Sequence, residues 1–218
     1  HNGLRAWLRG LQSLIAYWAG RTQEAARYAQ AGGEFATLAG NTTAIWLPMN
    51  AARAWAALGN AERTHAAIQR AERAWDTVHA DDLDQLGGTC TFTRSRQLYY
   101  AADALAWLPA EAGPAERYSL AAVEAYQDVS QPDWAFGDQA GSHTDLAIAR
   151  IASGELDGAA DAVAPVLQLP AEQRINGIIT SAQRVHRALT SSPLSTDAAN
   201  LREEIEVFTS TPLNALPP

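Results

Sequence analysis

Hydrophobic and polar positions follow a helical period along nearly the whole chain. Apolar residues recur three and four positions apart, which is the spacing of one face of an α-helix. Alternating runs of β-branched residues are absent, and the nearest strand candidate, 89–93, is short and polar. Alanine, the best helix former, makes up about a fifth of the chain. The pattern therefore predicts an all-α protein.

Short turns group ten segments of this period into five helix pairs. Gly20, Gly59 and Gly154 stand where the first helix of a pair must end in a left-handed residue. Pro48 falls inside the first helix of the second pair and marks either its true start or a kink. The predicted pairs are 4–19 with 22–38, 43–58 with 61–78, 92–108 with 115–129, 134–153 with 156–169, and 173–189 with 196–208.

Small or apolar residues recur at matching places in these pairs. They are Ala51-Ala52, Ala101-Ala102 and Leu146-Ala147 before the turn, and Ala25 and Ala159 after it. The arrangement resembles the tetratricopeptide repeat, in which small residues let two helices approach closely, although the spacing here is irregular and exceeds the roughly 34 residues of the regular motif. The resemblance implies a right-handed solenoid of about five degenerate helix pairs in a single domain, 1–208, followed by a proline-rich tail, 209–218.

A narrower resemblance covers roughly 92–208. The runs that carry it are Trp134–Asp138, Asp145–Arg150, Gly154–Ala160, Ala164–Leu167, Leu169–Asn176 and Leu201–Ile205. Together they resemble the C-terminal region of actinobacterial transcriptional regulators, in which a helix-turn-helix of the phage-repressor type precedes a tetratricopeptide-like domain. The resemblance implies a regulatory or sensor domain that would contact DNA only through an upstream helix-turn-helix. Because the chain begins with His1 rather than Met, we expect it to be a fragment or a processed product.

The charge and the cysteine content of the chain argue against several classes of function. The 16 basic residues, all arginine, are scattered and outnumbered by 24 acids, which gives a net charge of −8 and argues against nucleic-acid binding by this chain itself. Cys90 is the only cysteine, so neither an internal disulfide nor a cysteine-based zinc site can form, as is typical of a reducing cytoplasm. No apolar run approaches the roughly 18 residues of a membrane span, and no signal peptide is visible.

The resemblance to tetratricopeptide stacks also implies a binding groove. In such stacks the first helix of each pair lines the concave face, and certain positions of that helix point into it. Carried onto this sequence, those positions are Trp46, Met49, Asn50, Arg53, Arg96, Tyr99, Tyr100, Asp103, Asp138 and Asp145. A mixture of aromatic, charged and amide side chains suits a ligand pocket. The alternative interpretation is packing between repeats, because a register error of one residue would exchange groove and core.

The two arginines in this set predict the kind of ligand. A guanidinium presents a planar fork that matches a carboxylate, so Arg53 and Arg96 favour an anionic ligand such as a peptide C-terminus. Tyr100 and Met49 would then supply apolar wall. The competing view is that Asp103 and Asp145 neutralise both arginines as ion pairs between helices.

Motifs for catalysis or metal binding are missing. The Asp81–Asp84 run lacks the glycine and the terminal glutamate of a calcium loop, so we expect a solvated interhelical loop. There is no phosphate-binding glycine loop and no Gly-x-Ser-x-Gly elbow. We therefore expect no enzyme activity, no cofactor and no structural metal.

Two functions remain in view. The first is a regulatory domain that binds a peptide, a small molecule or a partner protein in the groove. The second is a constitutive scaffold that holds another protein or a second copy of the chain as a homodimer. A sensor should show an enclosed site with converging polar groups, whereas a scaffold should show an open channel or a large apolar patch.

Overall fold

The computed structural model describes residues 1–210, and this part of the chain is helical without any strand. The all-α prediction is therefore confirmed for these residues, and each predicted segment corresponds to one helix. The helices are α1 (Asn2–Trp18), α2 (Thr22–Ala39), α3 (Thr43–Ala57), α4 (Ala61–Ala74), α5 (Arg94–Leu105), α6 (Ala112–Ala125), α7 (Phe136–Ser153), α8 (Leu156–Leu167), α9 (Asn176–Ser191) and α10 (Ala199–Ser210).

Glycine ends a helix where the sequence predicts it, whereas Pro48 lies within one. Gly154 ends α7 with φ of 84°, a left-handed conformation that glycine adopts without strain, and its N–H bonds back to the carbonyls of the last turn. Pro48 lies inside α3, which begins five residues earlier at Thr43. Pro48 therefore does not mark the start of the helix. It removes one rung of the hydrogen-bond ladder, because proline has no N–H to donate to the carbonyl of Ala44.

Two compact units divide the chain, with the boundary between Leu108 and Pro109. In the first unit α1 packs on α2 and α3, while α3 also packs on α2, α4 and α5. In the second unit α7 packs on α6, α8 and α9, and α9 packs on α10. The sequence predicts one domain over 1–208, and the boundary falls in the turn of its third helix pair. Helical periodicity predicts where each helix lies in the sequence. It does not predict to which compact unit the helix belongs.

The first two residues of the proline-rich tail predicted from 209, Thr209 and Ser210, belong to α10. The rest of the predicted tail, 211–218, lies outside the described residues.

Helix α3 is the centre of the first unit and is buried on two different faces. One face approaches α1 so closely that a Cβ at Gly10 would lie 2.6 Å from the indole ring of Trp46. On this face the Asn50 amide also donates to the Gly10 carbonyl at 3.1 Å. The other face packs Leu47 against α2, where a Cβ at Gly32 would lie 2.7 Å from the Leu47 side chain. The two faces of α3 therefore meet different neighbours.

Neighbouring glycines of α2 should respond oppositely to alanine. Gly32→Ala should destabilise the fold by up to about 2 kcal/mol, because overpacking costs about 1–3 kcal/mol and the better helix propensity of alanine offsets only about 1 kcal/mol. Gly33 has open space where its Cβ would stand, so Gly33→Ala should stabilise the fold by about 0.5–1 kcal/mol. Urea denaturation of both variants measures the difference. A stabilised Gly32→Ala variant would show that α2 and α3 are not packed this closely.

Candidate functional site

Most of the predicted groove residues come together inside the first unit. Seven of them, on α3 and α5, are at most 5% exposed: Trp46, Met49, Asn50, Arg53, Tyr99, Tyr100 and Asp103. The prediction selects one face of α3 and the matching positions of α5, but that face is packed rather than open to solvent. A ligand could reach these side chains only if the helices around them separate.

A buried ion pair joins α3 to α5. The Nε of Arg53 donates to Oδ2 of Asp103 at 2.5 Å, and both side chains are 1% exposed. The Tyr17 hydroxyl donates to the same carboxylate oxygen at 2.8 Å, and the Trp107 indole N–H donates to the Tyr17 hydroxyl at 2.7 Å. The contact between Arg53 and Asp103 is the one that the competing interpretation expects. Tyr17 and Trp107 were not predicted as site residues, since neither α1 nor the turn after α5 carries a local signal that places them beside Arg53.

Aromatic rings surround the Arg53 guanidinium. Its central carbon lies 4.2 Å from the ring centroids of both Tyr17 and Tyr100, with Trp18 at 5.3 Å and Tyr99 at 5.9 Å. Burial lowers the pKa of Arg53, but the charge of Asp103 and the tyrosine hydroxyls raise it by more, so this pKa lies well above its ordinary value. Arg53 is therefore a permanent cation that the π-faces of the rings help to stabilise.

Two N–H donors on this face of α3 are buried and have no hydrogen-bond partner in the described part of the chain. They are Nη2 of Arg53 and Nε1 of Trp46. Seven residues, or two helical turns, separate the two positions, so their Cα atoms lie on the same side of α3 and roughly 10 Å apart along its axis. A buried donor without a partner costs about 1–3 kcal/mol. The centre therefore holds stored free energy that a hydrogen-bond acceptor would release.

Arg96 binds the loop that precedes α5. Its Nη1 donates to the carbonyl of Gly88 at 3.0 Å and to the carbonyl of Thr91 at 3.2 Å. These contacts hold the last turns of the loop against the start of α5. These contacts do not support the expectation that Arg96 and Arg53 bind one ligand together. The groups shown around Arg53 are tyrosine rings and Asp103.

The two predicted acids of α7 have partners within the second unit. Asp145 is 1% exposed, and its Oδ1 lies 3.6 Å from Nη1 of Arg184 on α9. Asp138 is partly buried and accepts a hydrogen bond from the Tyr126 hydroxyl at 3.2 Å. Asp145 therefore forms an ion pair between helices, as the competing view expects, but in this unit its cation is Arg184. The sequence singled out neither Arg184 nor Tyr126.

The loop between α4 and α5 is anchored by Asp84, which is only 6% exposed. Its carboxylate accepts hydrogen bonds from the Thr42 hydroxyl, from the Thr42 N–H at 3.3 Å and from the Asp81 N–H at 3.1 Å. The expectation of a solvated loop is therefore wrong for Asp84, although Asp82 is exposed. Within residues 1–210, no group of three or more His, Cys, Asp or Glu side chains is arranged to hold a metal ion.

An open cleft lies on the opposite side of α3. It has a volume of about 630 Å³ and runs between α2 and α4, with α3 as its floor. Its lining residues are small or apolar apart from Gln30, Thr37, Thr77 and the single charged residue Arg70. The cleft offers apolar surface but few groups that would orient a ligand, whereas the Arg53 centre offers converging polar groups.

No family model, no curated protein and no solved structure matches this chain. Within residues 1–210, none of the helices has the length and apolarity needed to cross a membrane.

Proposed function

We propose that this chain is a regulatory binding module built as a right-handed, tetratricopeptide-like helical repeat. It recognises a peptide or small ligand at the centre formed by Arg53 and Trp46. The observation that supports the proposal most directly is the pair of unpartnered, buried N–H donors on one face of α3. The resemblance to regulators with an upstream helix-turn-helix supports the regulatory role, and DNA would be bound by that upstream domain.

Binding at this centre requires that the packed helices separate, since both donors are buried. A ligand can shift this equilibrium only by binding the separated state more tightly than the closed one. Two unsatisfied donors supply such a preference, because each costs the closed state about 1–3 kcal/mol and is satisfied when the ligand is bound. The change in helix packing is then the signal that reaches a partner or an upstream domain.

The spacing of the donors determines the class of ligand. A carboxylate suits the Arg53 guanidinium, and a carbonyl acceptor suits the Trp46 indole. The Cα separation of roughly 10 Å along α3 corresponds to about three extended peptide residues. The preferred ligand is therefore a short peptide or a molecule of similar length, with a carboxylate at one end, a carbonyl at the other and an apolar middle facing Met49 and Tyr100.

Calorimetric titration with N-acetylated apolar tripeptides tests this proposal. The free acids should bind, whereas the same peptides with C-terminal amides should bind at least about tenfold more weakly, since the amide loses the charge that pairs with arginine. Trp46→Phe keeps an aromatic ring but removes the donor, and should weaken binding of the acids by about tenfold. Trp55→Phe, on the same helix, is the matched control, because Trp55 packs on Arg63 with 4.4 Å between the guanidinium carbon and the ring centroid.

Circular dichroism must show that both variants keep the helical fold. Equal affinities for acids and amides, or an unchanged affinity in Trp46→Phe, would remove this centre from the binding site. The absence of binding by every acid in the panel would count against the proposed ligand class.

The alternative function, a constitutive interaction scaffold, is favoured by a different feature of the first unit. Helix α1 presents apolar side chains to solvent, and exposed apolar surface of this kind marks sites of protein association.

A further inference from the structure

A groove lies between α8 and α10 in the second unit. It consists of two adjoining cavities of about 650 Å³ and 350 Å³, which share the lining residues Ala164, Leu167, Asn200 and Glu204. The lining residues of α8 run from Leu156 to Gln168, so the groove is roughly 18 Å long along that helix. This length corresponds to about five or six residues of extended peptide.

The floor of this groove is apolar and its rim is acidic. Val207 lines it while 63% exposed, and Leu167 and Leu201 line it while partly buried. Four exposed acids also line it: Asp161, Asp197, Glu203 and Glu204. Within residues 1–210 none of these four carboxylates forms an ion pair. The rim therefore presents negative charge that is not compensated.

The arginine that lines the groove is held by other contacts. The Nε of Arg174 donates to the carbonyl of Leu169 at 2.9 Å, and its guanidinium carbon lies 4.6 Å from the centroid of the Phe208 ring. These contacts fix Arg174 at the end of the groove formed by the last turns of α8 and α10.

Helix α8 adds a backbone acceptor beside one of the acids. Pro165 lies inside α8 and has no N–H, so the helical hydrogen bond to the carbonyl of Asp161, four residues earlier, is missing. The carboxylate and the carbonyl of Asp161 are thus two acceptors on one residue that lines the groove. Guanidinium and ammonium groups carry several N–H donors and no acceptor, so they match such a rim.

The charge of the chain is distributed unequally between the two units. Residues 109–218 carry 15 acids and 6 arginines, a net charge of −9, whereas residues 1–108 carry 9 acids and 10 arginines, a net charge of +1. The groove therefore belongs to the unit that carries all of the negative excess. Such a charge attracts a cationic partner and repels nucleic acids and anionic membranes.

We propose that the groove between α8 and α10 binds a short basic segment of a partner protein. Arginine or lysine side chains of the segment pair with the carboxylates at the rim, and its apolar side chains cover the floor around Val207. The Arg53 centre, in the other unit, suits a carboxylate, so the two sites select ligands of opposite charge.

Calorimetric titration of the whole chain with hexapeptides tests the proposal. The peptides are N-acetylated and C-amidated, so they offer no carboxylate to Arg53. A peptide of alternating arginine and leucine should bind at least about tenfold more tightly than one of alternating glutamine and leucine, which lacks the charge. It should also bind at least about threefold more tightly than one of alternating arginine and serine, which lacks the apolar side chains. Its affinity should fall as salt increases, because salt screens opposite charges.

Substitutions in the groove identify the contact. Asp161→Asn combined with Glu204→Gln should weaken binding of the arginine–leucine peptide by at least about fivefold, because two ion pairs are lost. The matched control, Glu62→Gln combined with Glu124→Gln, removes the same charge from exposed acids of α4 and α6 and should change the affinity by less than about twofold. Ala164→Leu should also weaken binding, because Ala164 lines both cavities and the larger side chain fills the middle of the groove.

Circular dichroism must show that each variant keeps its helical content. An arginine–leucine peptide that does not bind overturns the proposal. Equal losses in the two double variants also overturn it, since the attraction would then come from the net charge and not from the groove. The same holds if the arginine–serine peptide binds equally well, because the groove would then take any polycation, or if Ala164→Leu folds and binds as the parent chain does.

Discussion

Replacing Arg53 by methionine should destabilise the fold by about 3–5 kcal/mol, because it removes the cation from a buried ion pair while the anion stays in place. Both Arg53 and Asp103 are 1% exposed, so water cannot replace the lost charge without opening the helices. Methionine keeps a long, flexible, apolar side chain between the tyrosine rings, which limits the loss of packing. Urea denaturation followed by circular dichroism measures the change in the free energy of unfolding.

Two further variants separate charge from packing. The double variant Arg53→Met, Asp103→Leu should recover part of the loss, since apolar replacement of a whole buried pair is often neutral or stabilising, while the Tyr17 hydroxyl loses its acceptor on Asp103. Arg21→Met is the control at an exposed pair: Arg21 lies 3.1 Å from Glu24 at the surface and should contribute at most about 0.5 kcal/mol. A loss below about 1 kcal/mol in Arg53→Met would mean that Asp103 is not held as a buried carboxylate.

Replacing Asp84 by alanine should destabilise the first unit by about 2–3 kcal/mol, since hydrogen bonds to a charged acceptor contribute about 1.5–3 kcal/mol. Asp84 accepts from the hydroxyl and the N–H of Thr42, and the Thr42 hydroxyl in turn accepts from the N–H of Phe92 at 2.9 Å. The substitution therefore disturbs the start of α3 and the end of the loop together. Thermal or urea unfolding of the variant measures the loss.

The chain supplies its own control for this prediction. Asp82 is exposed, lies two residues away and carries the same side chain. Asp82→Ala should change the free energy of unfolding by no more than about 0.5 kcal/mol, as is usual for surface substitutions. Equal losses at both positions would show that the effect comes from the composition of the loop rather than from the anchoring contacts of Asp84.

The helices of this fold are readable from the sequence because their signals are local. A helix of fifteen residues, such as α3, repeats its apolar pattern over four turns, and a glycine such as Gly154 ends its helix through its own backbone conformation. The resemblance to tetratricopeptide stacks indicated which positions of α3 share a face with Arg53. It could not decide whether that face is open or packed, because the covering side chains belong to α1 and α5.

Most partners of the site residues were out of reach for the same reason, and Asp103 was named as a partner of Arg53 only in the competing interpretation. Arg53 pairs with a carboxylate fifty residues away, and Asp145 pairs with Arg184 on another helix. Asp84 is the clearest example: the run of acids around it is typical of a solvated loop, and only contact with Thr42, distant in the chain, makes it a buried anchor. Charges at such separations have no fixed spacing in the sequence that could identify them as pairs.

Pro48 makes the most buried helix of the first unit mechanically compliant at one point. It lies between Trp46 and Arg53, and the ladder bond that would join it to Ala44 is missing. A helix bends most easily where a rung is absent. Bending there changes the distance between the indole and the guanidinium, while each half of α3 stays intact. Under the proposed function, this bending lets the centre accept ligands that differ somewhat in length. The distance between the two ends of a bound ligand then sets the curvature of α3.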